Sequence, residues 1–170
     1  MKIKLLITGG TFDKEYDEIR GALFFKDTHV PEMLRLGRSH LDVQMRSIMM
    51  VDSLDMTPVD RELILDHCRK TAEDRIVITH GTDTMVETAT VIARALSGKT
   101  IVLTGALVPY TFGSSDGLFN LGSALSFVQA LPPGVYIAMN GRCLTWDNVR
   151  KNRDLGIFEE LHPAPAADPE

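Results

Sequence analysis

Two glycine-threonine turns, Thr8-Gly9-Gly10-Thr11 and His80-Gly81-Thr82-Asp83-Thr84-Met85, each follow a short β-forming run and carry hydroxyls where a strand ends. A threonine hydroxyl is a weak nucleophile at neutral pH. It needs a base to take its proton and hydrogen-bond donors to stabilise the oxyanion that forms on the attacked carbonyl. Asp83 and Lys151 are the candidates for a relay to Thr82, and a lysine serves as a base only where desolvation lowers its pKa. Glycine lets backbone approach a ligand closely, so free N–H groups around Gly10 and Gly81 are candidate oxyanion donors. Tyr16 follows Thr11 closely enough to reach its hydroxyl if the segment 12–17 folds over the crevice. Together these residue types point to acyl transfer.

Each residue alone has a plainer explanation. Thr82, Asp83 and Thr84 stand where a helix begins, and a side-chain cap there contributes about 0.5–2 kcal/mol. Ser53 and Asp55, just before Thr57-Pro58, are equally good caps, the first turn is an ordinary strand ending, and Lys151 lies in a basic cluster with Arg150 and Arg153. Capping does not readily account for two hydroxyl-bearing glycine turns on one edge.

The elements that must position these groups alternate along the chain. Strands are predicted over 2–7, 42–48, 75–79, 100–103 and 135–139, from buried apolar runs bounded by turn residues. Helices are predicted over 31–36, from Pro58 to about 73, from Asp83 or Thr84 to Gly98, and from the Gly113–Gly117 turn to about Leu131, before Pro132-Pro133-Gly134. Segment 8–30 reads as a polar connection. Parallel strands need crossovers, so the pattern predicts an α/β, three-layer, Rossmann-like or flavodoxin-like domain with a mainly parallel sheet. Ligands in such folds bind beyond the carboxyl ends of the strands. Both Gly-Thr turns, the 51–55 segment, the Gly113–Gly117 turn and the residues after Met139 all fall on that edge.

Composition narrows the class. The chain has 170 residues, 44% of them hydrophobic and 24% charged, enough to build one core without staples. A net charge of -5 argues against nucleic-acid binding, and no apolar run approaches the roughly 18 residues of a membrane span. The opening Met1-Lys2-Ile3-Lys4 lacks a secretory pattern and favours the cytoplasm. Cys68 and Cys143 have neither CxxC nor disulfide-framework spacing, and His67 and His80 have no third ligand, so no metal is expected. The expected division is a domain over 1–161 and a flexible, acidic Pro/Ala-rich tail over 162–170. The 118–131 helix is apolar around more of its circumference than one sheet face requires, which predicts a homo-oligomer, dimer or tetramer.

The strings Leu6-Ile7-Thr8-Gly9-Gly10-Thr11-Phe12 and Val77-Ile78-Thr79-His80-Gly81-Thr82-Asp83-Thr84-Met85, with Glu87-Thr88-Ala89, resemble the two signature segments of bacterial-type L-asparaginases. The likeness continues through Thr104-Gly105-Ala106, Ser115-Asp116-Gly117, Phe119-Asn120-Leu121 and Met139-Asn140, and Val149-Arg150-Lys151 stands where the family has its catalytic lysine. The resemblance implies hydrolysis of L-asparagine to L-aspartate and ammonia through a β-aspartyl enzyme, with no cofactor. It assigns Thr11 the first nucleophilic hydroxyl, Thr82, Asp83 and Lys151 the second triad, and Tyr16 the mobile-loop tyrosine. Asp83 would bind the substrate amine and Ser53 its carboxylate. Members are about twice this length, and the resemblance covers only their N-terminal domain. Leu54 replaces a polar glutamine found beside that serine in many relatives. The alternatives are a non-catalytic amino-acid-binding module of the same fold and, on the Gly113–Gly117 turn, a nucleotide site that lacks GxGxxG and P-loop patterns.

Overall fold

The computed structural model describes residues 1–162, so most of the predicted 162–170 tail lies outside the described residues. Five strands run parallel: β1 (Lys2–Gly9), β4 (Asp42–Val51), β5 (Arg75–Thr79), β6 (Thr100–Thr104) and β7 (Gly134–Met139). An antiparallel sixth, β8 (Arg142–Thr145), closes one edge, giving the order β4-β1-β5-β6-β7-β8. Numbered along the chain, the parallel strands follow 2-1-3-4-5, the flavodoxin-like order, whose switch point lies between the first and third strands. Here that point is the gap between the carboxyl ends of β1 and β5.

Strand alternation explains the layering. Successive side chains on a strand point to opposite faces. Leu6, Ile76, Ile78, Ile101 and Leu103 accordingly pack on one face with Ile64 and Cys68 of α2 (Pro58–Lys70) and Met85 and Ile92 of α3 (Met85–Ala95). Leu5, Ile7, Val77 and Val102 pack on the other with Met33 of α1 (Val30–Leu36) and Leu121 and Val128 of α4 (Gly117–Ala130). The α/β reading is thus correct, with helices on both faces.

Three local departures matter for the site. The supposed polar connection folds as a 3-10 turn, Thr11–Asp13, and a hairpin of β2 (Lys14–Asp17) and β3 (Ala22–Phe25). Past β8, the chain forms a second hairpin, β9 (Arg150–Asn152) and β10 (Ile157–Glu159). In both, the strands run only three or four residues, too short for the alternation that reveals longer strands. Third, α2 is capped by neither Ser53 nor Asp55. Thr57 accepts from the Asp60 N–H at 3.3 Å while the Asp60 carboxylate accepts from the Thr57 N–H at 2.8 Å, a reciprocal cap that leaves Ser53 free.

Among the described residues, no helix is long and apolar enough to cross a membrane.

Candidate active site

At the switch point the two Gly-Thr turns meet. Gly9 and Gly10 adopt φ of 96° and 84°, a region that side chains rarely tolerate, and so turn the end of β1 toward β5. A β-carbon built on Gly10 would lie 2.5 Å from the Gly81 nitrogen, and one on Gly81 would lie 2.5 Å from Ser53 Oγ. Three loop segments far apart in the chain are therefore packed against one another, each approach open only to glycine. Thr11 is half-buried beside this contact, and Thr82 is 6% exposed.

Lys151 completes the cluster from β9. Its Nζ donates to Thr82 Oγ1 and to Asp83 Oδ1, both at 2.8 Å. The anchor is directly across the hairpin: Phe158 pairs with Lys151 in the antiparallel register and is buried in the same core as Val149. The lysine side chain is only 13% exposed. An ammonium has donors and no acceptor, so this arrangement orients Thr82 Oγ1 and stabilises negative charge developing on it. To take the hydroxyl's proton, Lys151 would first have to release one of its own.

The capping explanation of residues 82–84 does not hold. Helix α3 starts at Met85, Thr84 makes no side-chain cap, and its hydroxyl instead donates to the Ser53 carbonyl at 2.8 Å. Thr82 and Asp83 are engaged by Lys151. Ser53 is buried, and its Oγ has no hydrogen-bond partner among the described residues. A buried hydroxyl without a partner costs free energy, and one beside Gly81 is available to an incoming polar group.

Tyr16 is not gathered with the others. It sits on β2 opposite Leu23, 55% exposed. The hairpin carrying it is tied to the Ser53 loop by the Lys14–Asp52 ion pair. Burial opposes ionisation of Asp52, but the Lys14 bond and charge together with the Leu54 N–H outweigh it and hold the carboxyl below its usual range.

Two features escaped the sequence. The Gly113–Gly117 turn is tied to its surroundings: Asp116 accepts from the Leu107 and Val108 N–H groups, and Asn120 links Gly105, Asp116 and the Asn140 N–H. The Asp116 carboxylate thus occupies the Leu107 and Val108 donors. The signal was the Asp116–Asn120 spacing, one helical turn. The other is His80, wholly buried, whose ring bridges the Gly81 carbonyl and Thr88 Oγ1, each at 2.8 Å. Burial, reinforced by the Arg61 charge, lowers its pKa to about 4 against the opposing pull of the Gly81 carbonyl.

A wide cavity of about 540 Å³ lies at the other end of the sheet, lined by residues including Met1, Glu73, Arg75 and Thr100. Its lining includes Lys2, Glu73, Asp74 and Thr100, but among the described residues no lysine there bonds both a hydroxyl and a carboxylate as Lys151 does. Among the described residues no three His, Cys, Asp or Glu side chains are placed to share a metal ion.

A family profile described as "Asparaginase, N-terminal" matches residues 2–160. The chain belongs to the asparaginase family. L-asparaginase from Thermococcus kodakarensis is 30% identical over 162 residues, covering 92% of this chain and 49% of the relative. The solved structure of that thermostable L-asparaginase superposes with a TM-score of 0.83, covering 96% of this chain and 52% of the other. L-asparaginase I from Vibrio cholerae also reaches 0.83, at 27% identity and the same coverages. Another relative is L-asparaginase 1 of Escherichia coli, 33% identical over 139 residues, 76% of this chain and 41% of the relative. The chain spans about half the length of the L-asparaginases it matches, or less.

Proposed function

We propose that this asparaginase-family protein hydrolyses L-asparagine to L-aspartate and ammonia through a threonine nucleophile and a covalent acyl-enzyme. The observation that carries this is the contact of Lys151 Nζ with both Thr82 Oγ1 and Asp83 Oδ1, beside the touching Gly10 and Gly81 turns. Thr11 or Thr82 attacks the side-chain carbonyl, and Asp83 and Lys151 serve the Thr82 oxygen. The Asp83 carboxylate, still one-third exposed, meets the substrate amine, while Ser53 Oγ donates to its carboxylate. Tyr16 takes part only if the β2–β3 hairpin turns it inward.

The functional unit is the domain 1–161, working as a homo-oligomer. Leu118 and Phe119 on α4 are 39% and 62% exposed, an apolar surface suited to a second copy. The setting is the cytoplasm, in keeping with two unpaired thiols, Cys68 and Cys143, which burial raises to about 12 and about 11. Light scattering after size exclusion reads the assembly.

The deciding experiment measures ammonia release from L-asparagine, L-glutamine, D-asparagine and small peptides. It is followed by acid quench and mass spectrometry to find a β-aspartyl ester on Thr11 or Thr82. Release from asparagine with a trapped threonine ester upholds the proposal. Binding of asparagine in calorimetry without turnover of any amide overturns it in favour of an amino-acid-binding module.

A further inference from the structure

We infer that His80 is a positioning residue for this chemistry: its ring fixes the Gly81–Thr82 peptide so that the Thr82 N–H is presented as the oxyanion donor. The inference rests on the amidohydrolase reading and adds to it the group that aims the donor.

The ring has one consistent protonation state. A carbonyl only accepts, so the 2.8 Å contact with Gly81 requires a proton on Nδ1. With burial keeping the imidazole neutral, Nε2 carries a lone pair and accepts from the Thr88 hydroxyl at 2.8 Å. Thr88 is wholly buried on α3, and the backbone N–H of His80 is itself bonded to the Thr104 carbonyl of β6 at 2.8 Å. A chain of fixed groups thus runs from helix α3 through the ring to the Gly81 carbonyl.

Peptide geometry carries the effect outward. In a planar trans peptide the C=O and N–H point in opposite directions. With the Gly81 carbonyl held toward the imidazole, the Thr82 N–H points away from it. Among the described residues that N–H has no hydrogen-bond partner, although Thr82 is almost fully buried. An N–H without a partner is uncommon in so enclosed a residue, and this one belongs to the residue whose hydroxyl Lys151 holds. Donors fixed before reaction, aimed where charge develops, are what lowers the barrier in acyl transfer.

The test compares Thr88→Val, which removes the donor to Nε2 at nearly constant shape, with Thr88→Ser, which keeps it. Thr88→Val should lower kcat for L-asparagine by about 10- to 10²-fold, less than the 10² to 10³ lost when a donor is removed outright. KM and aspartate affinity should be retained, and Thr88→Ser should recover most of the rate. Nitrogen-15 NMR of histidine-labelled wild type should find the His80 proton on Nδ1. A proton on Nε2, an unchanged kcat in Thr88→Val, or a rise in KM alone would overturn the inference. The NMR measurement needs only the wild-type protein, so it decides even if Thr88→Val fails to fold. A wild type that releases no ammonia from any amide is a different result: it ends the amidohydrolase reading, and this inference with it.

Discussion

The backbones of Gly10 and Gly81 touch, with no room for a β-carbon between them. Gly10→Ala would set a methyl 2.5 Å from the Gly81 nitrogen at a φ of 84°. Such a backbone conformation costs about 1–3 kcal/mol in a non-glycine residue even before the clash. The variant should melt at lower temperature and lose most of its turnover as the two turns separate. A melt and kcat equal to wild type would mean that the contact is dispensable.

Lys151 joins Thr82 and Asp83, which makes it the group whose loss should be felt in the chemical step. Positioned acid-base groups contribute about 10²- to 10⁴-fold in rate. Lys151→Met should therefore reduce kcat by that order while asparagine still binds, and Thr82→Val should do the same. Steady-state ammonia assays separate kcat from KM, and a change confined to KM would remove Lys151 from the chemistry.

Ser53 offers an opposite signature. Its buried hydroxyl has no partner among the described residues, so deleting it relieves an unsatisfied group rather than breaking a bond. Ser53→Ala should leave thermal stability unchanged or slightly higher while raising KM for asparagine. A destabilised variant with normal KM would show that the hydroxyl serves the fold instead.

His80 gives the protein a defined acid sensitivity. Its folded pKa, about 4, lies below the ordinary histidine value of 6.5, so between those values the unfolded chain binds more protons than the folded one. Stability from this group is therefore complete above about pH 6.5 and declines as pH falls toward 4, by up to about 3 kcal/mol. The groups facing the ring are the Gly81 carbonyl, the Thr88 hydroxyl and the Arg61 charge. Urea titrations at pH 7 and 4.5 should show the loss in wild type and a smaller one in His80→Gln.

Long, apolar elements announced themselves in the sequence, and the site followed from where they end. The runs at 2–7 and 75–79 alternate cleanly between two cores, so their glycine-bearing ends could be placed on one edge and the two turns paired. The 51–55 segment, too, was placed on that edge from its position after a predicted strand, whereas a substrate role for Ser53 came only from the family resemblance. Hidden were features that depend on short or long-range pairing. The β2–β3 hairpin leaves Leu23 and Phe24 exposed, so no buried stripe marks it. The β9–β10 hairpin draws on Phe158, one residue reaching a distant core. His80 looked like a ligand without a set because its partner, Thr88, lies on the next helix, and only the fold closes that distance.

The lysine is mounted apart from the rest of the machinery. Thr82 and Gly10 issue from the central strands, but Lys151 rides on a three-residue strand outside the main sheet, held largely by Phe158 and Val149. Small peripheral units of this kind open at lower free energy than core strands. On warming, turnover should fade while far-ultraviolet circular dichroism still reports an intact sheet, and a substitution that loosens Phe158 should widen the gap between the two temperatures.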